Sequence, residues 1–159
     1  MKTLLVALDG SPRAKGVLDA AVAQAQSTSA KLVLFRAVGI PVDLPFTAMA
    51  MSPGDVLSVL EQRARVELTE LARTVAPGVP FEIRIETGSA WQTICEAAHA
   101  VDAALVVIGS HGYSGLDRVL GTTAARVVNH ADRSVLVVRS LESPATGVPT
   151  GAVDDKHGR

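Results

Sequence analysis

The chain has 159 residues, enough for one domain with a full hydrophobic core and too few for two comfortable ones. Apolar residues make up 48% of it and aromatics 3%, so the core must be built from Val, Leu, Ile and Ala, a mix that suits a sheet covered by Ala-rich helices. A formal net charge of −1 gives no electrostatic ground for a nucleic-acid or anionic-membrane partner, and the single cysteine, Cys95, excludes an intrachain disulfide.

The first apolar run, residues 3–8, reads as a strand. It is cut at Asp9, shorter than the apolar region of a signal peptide, and no stretch approaches the ~20 apolar residues of a membrane span. The expected location is cytoplasmic. Ser11 and Pro12 then offer an N-cap and a first-turn proline before a helix whose apolar face is Val17, Leu18, Ala21, Val22 and Ala25. A second strand is expected at 31–38. Residues 39–51, with Pro41, Pro45, Met49 and Met51, read as a long loop.

Ser52 and Pro53 repeat the cap-and-proline device before a second helix, with Leu57, Leu60, Ala64, Leu68, Leu71, Ala72 and Val75 on its apolar face. Residues 81–86 alternate strictly between apolar and charged, as a strand at or near a sheet edge does. Ser89 is placed to cap a third helix with Ala90, Ile94, Ala97, Ala98 and Val101 inward; Trp91 is expected to anchor its start, and Cys95 to act as a small buried hydrophobe. A fourth strand follows at 104–108, a fourth helix opened by Thr122, and a fifth strand at 134–139. Residues 141–159 carry Pro, Gly and charge with little to bury and read as a disordered tail beyond a domain of 1–140.

The order βαβαβαβαβ implies right-handed crossovers and a doubly wound, Rossmann-like α/β fold, its parallel sheet covered by helices on both faces. Ligands on such sheets sit beyond the carboxyl ends of the strands where the strand order reverses, here after Leu8 and after Ile108. The second position opens Gly109-Ser110-His111-Gly112 and leads to Gly121-Thr122-Thr123. Glycines at the end of a buried strand, followed by a helix start with its unpaired N–H groups, make an anion-binding arrangement. On chemistry alone the same residues serve equally as turn glycines and a helix cap. Asp9 is placed to contact a ligand at the switch point, or to satisfy backbone donors in an Asp-Gly-Ser-Pro turn. His111 has no second His, Cys or paired carboxylate at ligand spacing in its loop, which leaves it a hydrogen-bonding rather than catalytic or metal-binding role. Arg118 and Arg126 are candidate cations near a phosphate, although a surface salt bridge is the commoner fate of an arginine.

The Gly-Ser-His-Gly loop, the later Gly-Thr at a helix start, the closing Ser134-Val135-Leu136-Val137-Val138-Arg139 and the opening Leu4-Leu5-Val6-Ala7-Leu8-Asp9-Gly10-Ser11 together resemble the universal stress protein family over about residues 1–140. The resemblance implies a five-stranded parallel sheet in the order 3-2-1-4-5 and a homodimer formed through the last strand, Val135 to Val138. It also implies binding of ATP, with Mg2+, or of another adenine nucleotide, by a stress-response binding module with at most slow ATP hydrolysis. On that resemblance the nucleotide-binding residues are Ala7, Asp9, Ala37, Gly109, Ser110, His111, Gly112, Gly121, Thr122 and Thr123, with no catalytic and no metal residues. The family's nucleotide-binding pattern is Gly, two residues, Gly, nine residues, then Gly followed by Ser or Thr. This chain has eight residues between Gly112 and Gly121, which leaves open a nucleotide-free dimer of the same fold. An adenine-nucleotide enzyme is the remaining alternative, but the chain lacks the phosphate loops of P-loop NTPases, nucleotidyl transferases and ATP pyrophosphatases.

Overall fold

The structure is a computed structural model that describes residues 1–39, 52–110 and 120–139. Five strands, β1 (Thr3–Ala7), β2 (Lys31–Val38), β3 (Phe81–Thr87), β4 (Leu105–Gly109) and β5 (Ser134–Val138), alternate with four helices, α1 (Ala14–Thr28), α2 (Pro53–Ala72), α3 (Ala90–Ala100) and α4 (Thr122–His130). All strand pairs are parallel, in the order β3-β2-β1-β4-β5. The sheet order therefore agrees with that implied by the family resemblance, and the alternating strand 81–86 is indeed an edge. Of the loop expected at 39–51 only Gly39 is described, and the tail expected at 141–159 lies outside the described residues.

The sheet is apolar on both faces because each face has its own helical cover. On one side Leu4, Val6, Leu32 and Leu34 pack against Leu18 and Ala21 of α1 and Leu68 and Ala72 of α2. On the other, Leu5, Val33, Phe35 and Val106 pack against Ile94, Ala97 and Ala98 of α3 and Val127 of α4. Small alanines on the helices let them lie close to the branched side chains of the sheet, which is how a core with few aromatics is filled.

Two of the helix starts differ from the expected caps. Ser11 does not cap α1. Its hydroxyl donates instead to Asp9 Oδ1 at 2.6 Å, while its carbonyl accepts from Ala14 N–H in a separate turn, so the helix proper begins at Ala14 behind Arg13. Ser89 occupies the N-cap position of α3 without a side-chain bond; its carbonyl takes the Thr93 hydroxyl and N–H. Ser52 is the working cap: its hydroxyl accepts from Asp55 N–H at 3.2 Å, with Pro53 opening the first turn of α2. Thr122 is the first residue of α4, and Gly121 is its N-cap.

Cys95 is partly buried against the second core cluster, and burial, reinforced by the Asp132 and Glu96 carboxylates, pushes its thiol up from the ordinary range. It behaves as the small hydrophobe expected. Trp91 packs on the same cluster and meets the His130 ring at 4.8 Å, tying the start of α3 to the end of α4. Arg126 lies over that indole, 5.9 Å from its centroid. It makes a cation–π contact with that ring and does not line the cleft at the carboxyl ends of β1 and β4.

Candidate functional site

The strand order reverses between β1 and β4, and a cleft of about 310 Å³ opens there. Its floor comes from three neighbouring strands: Ala7 pairs in register with Phe35 on one side and with Ile108 on the other, and all three line the cleft. Ala37, two residues beyond Phe35 on the same face of β2, extends this apolar floor. Ala90 and Ile94 of α3 form one wall, and Ala14 and Val17 of α1 with its N-cap residue Arg13 form another.

Polar groups gather at the rim. Asp9 and Ser11 follow β1, Ser110 follows β4, and Thr122 and Thr123 open α4. Of the ten residues expected from sequence, eight therefore line one cleft: Ala7, Asp9, Ala37, Gly109, Ser110, Gly121, Thr122 and Thr123. His111 and Gly112, like Arg118, Met49 and Met51, lie outside the described residues. The glycine segment is pinned at both ends. Ser110, almost fully buried, donates its N–H to the Val138 carbonyl at 2.8 Å and accepts from Gly121 N–H at 2.7 Å. The short spacing noted in the sequence thus still brings the end of β4 and the start of α4 into direct contact. A Cβ on Gly109 would come within 3.2 Å of Val17 Cγ2, so a glycine there keeps α1 close to the end of β4.

Asp9 fulfils the turn role: its Oδ1 accepts from both Ser11 N–H, at 3.0 Å, and Ser11 Oγ. That bond set fixes the carboxylate of a residue that also lines the cleft.

Sequence reasoning overlooked Arg36. Its side chain, on the opposite face of β2 from Phe35 and Ala37, donates through Nε to the Leu8 carbonyl at 3.1 Å and through Nη2 to the Asp9 carbonyl at 2.7 Å. Its Nη1 pairs with Glu67 of α2, which also takes Arg63 Nε at 2.8 Å. The hydrogen bonds from Arg63 and then Arg36 hold the Glu67 carboxyl below its ordinary value, against the opposing effect of burial. Because folded Glu67 binds its proton less readily than unfolded Glu67, this contribution to stability is complete above the usual glutamate range and fades as pH falls through the lowered value. Acid unfolding followed by circular dichroism should show a shallower decline for Glu67→Gln than for the parent between roughly pH 5 and 3. Arg13 and Phe35 were also overlooked, though Phe35 is found by counting two back from Ala37 along the strand.

No group of three or more His, Cys, Asp or Glu among the described residues is arranged to hold a metal ion, and no helix among them is long and apolar enough to cross a membrane. The universal stress protein family matches residues 1–139. Universal stress protein A homolog 1 of Coxiella burnetii is 32% identical over 145 residues, a match covering 86% of this chain and 95% of that protein. The structure of the universal stress protein UspA from Lactobacillus plantarum is similar with a TM-score of 0.70 at 27% identity, covering 87% of this chain and 97% of the other. A universal stress protein solved in complex with cAMP is similar with a TM-score of 0.58 at 25% identity, covering 87% and 96%. The sheet order, the glycine-bearing exit of β4 and a match running from the first residue to the end of β5 agree, and the chain belongs to the universal stress protein family.

Proposed function

We propose that this protein is an adenine-nucleotide-binding module of the stress response, with ATP, accompanied by Mg2+, as its ligand in the switch-point cleft. The observation that carries the reading is the convergence of eight expected residues on one cleft with an apolar floor and a rim of hydroxyls at a helix start. The chemistry suits the two halves of the ligand. The floor of Ala7, Phe35, Ala37 and Ile108 is a flat apolar surface for a base, and Asp9 is an acceptor for ribose hydroxyls. The phosphates fall to Gly109, Ser110, Gly121, Thr122 and Thr123, together with His111 and Gly112, where first-turn N–H groups have no acceptor within the helix. A related universal stress protein solved in complex with cAMP supports an adenine nucleotide as the ligand.

The protein acts by binding, with ATP turnover no more than slow, in the cytoplasm, and as a homodimer through β5. That edge strand presents Val135, Leu136, Val137 and Val138 only partly covered, and Leu136 remains 36% exposed, an apolar edge that invites a partner strand. The shortened spacing between Gly112 and Gly121 favours the second reading, the same dimer without nucleotide.

Thermal unfolding separates the two. Saturating ATP, at about 100 times its dissociation constant, stabilises a one-site binder by about 2.7 kcal/mol. At this chain length that raises Tm by roughly 5–10 °C. An unchanged Tm at millimolar ATP selects the nucleotide-free reading. Sedimentation equilibrium should give twice the chain mass, reduced to one by Leu136→Glu; a monomeric parent contradicts the dimer.

A further inference from the structure

We propose that Arg36 is a positioning residue of the cleft: from behind the sheet it clamps the backbone exit of β1 so that Asp9 is held ready for the ribose. This inference rests on the adenine-nucleotide reading above. Arg36 is a charged residue only 9% exposed, in a strand otherwise apolar from Leu32 to Val38. A buried guanidinium is costly unless its donors are met, and here they are met by a specific set: the carbonyls of Leu8 and Asp9 and the carboxylate of Glu67. Two of these acceptors are the main chain of the very residues that turn from β1 into the cleft rim. The third belongs to α2, which packs on β2 and β3, so the clamp is anchored to a rigid part of the fold.

The division of labour across the sheet is what makes the arrangement a positioning device. Phe35 and Ala37 face the cleft, while Arg36 between them points to the opposite face, does not line the cleft, and hydrogen-bonds the backbone of two residues that do, Leu8 and Asp9. On the cleft side, Asp9 is fixed a second time by Ser11 N–H and Oγ. The backbone is gripped from behind and the side chain from in front. Only the planar fork of arginine reaches all three acceptors at once; a lysine ammonium keeps the charge opposite Glu67 but lacks that geometry.

The test is a double-mutant cycle read by isothermal titration with ATP. Arg36→Met is expected to weaken binding about tenfold in the parent and less than about twofold in an Asp9→Asn background, because the two residues act through one contact. Arg36→Lys should recover most of the parent's Tm but not its affinity. Hydrogen exchange at the Ser11 amide, measured without ligand, should accelerate in Arg36→Met while that at Val106, in the sheet centre, stays slow. Equal losses in both backgrounds, or recovery of affinity by lysine in step with Tm, assign Arg36 to general stability and overturn the inference. If Arg36→Met fails to fold, Arg36→Lys and Glu67→Gln carry the same cycle. Failure of the parent to bind ATP overturns the nucleotide reading and this inference with it, an outcome distinct from binding with additive losses.

Discussion

Gly121→Asp should abolish measurable ATP binding at ordinary concentrations, a loss of about 100-fold or more, while leaving Tm unchanged or slightly raised. Gly121 is the N-cap of α4 with φ −58° and ψ 150°, a backbone conformation that any residue adopts, so the substitution introduces no backbone strain. Aspartate is among the preferred N-cap residues, and its carboxylate accepts from the first-turn N–H groups and complements the helix dipole. Those are the same donors a phosphate would use. The variant therefore improves the helix and occupies the site with a like charge in a single step. Titration calorimetry beside thermal unfolding reads both effects; undiminished ATP affinity in a folded Gly121→Asp protein would place the phosphates away from α4.

The second large effect concerns stability. Leu34→Ala should cost about 2–5 kcal/mol, the range for truncating a fully buried leucine. Leu34 is 0% exposed in β2, pairs with Val6 and Ile83 in the neighbouring strands, and belongs to the cluster under α1 and α2. Strands on both sides and helices above leave the site little room to collapse around the cavity. Chemical denaturation should report this cost, with Tm lower by roughly 5–15 °C. Leu34 is not part of the cleft lining, so ATP affinity of the folded variant should remain that of the parent. A loss below 1 kcal/mol would contradict the packing described.

Much of this architecture is legible in the chain because its signals are local. Continuous Val and Leu runs mark β1, β2 and β4 as buried on both faces, and the alternating strand at 81–86 marks an edge, as the sheet order bears out; β5 departs from the rule, a continuous apolar run that forms the other edge and leaves Leu136 exposed. Ser52-Pro53 was legible as a helix start because, among the described residues, its hydroxyl bonds only within its own helix, to Asp55. Ser11-Pro12 misled for the opposite reason: Asp9, two residues earlier, captures the same hydroxyl, and a local motif cannot reveal which of two neighbours wins.

The cleft was legible where backbone chemistry requires glycine or a helix start, at Gly109, Ser110 and Gly121 to Thr123. It was illegible where a side chain enters from elsewhere in the fold. Arg13 and Ile94 reach it because α1 and α3 begin beside the same strand ends, a consequence of register rather than of any motif. Arg36 had a visible signal, a charge inside an apolar strand, but its partners Leu8, Asp9 and Glu67 lie 27 to 31 residues away in sequence and become neighbours only once β1, β2 and α2 are assembled. Arg126, open in the sequence between a phosphate contact and a surface salt bridge, lies over Trp91, which the packing of α3 on α4 brings beside it.

The central claim, an adenine nucleotide seated where the strand order reverses, is tested most directly by titrating isotopically labelled protein with ATP and following its backbone amide resonances. The account predicts saturable shifts, at micromolar to low millimolar ATP, concentrated at Ala7, Asp9, Ala37, Gly109, Ser110, Gly121, Thr122 and Thr123, with the amides of β3 and the outer face of α2 unmoved. No shifts at saturating ATP, or shifts gathered away from the ends of β1 and β4, would contradict it.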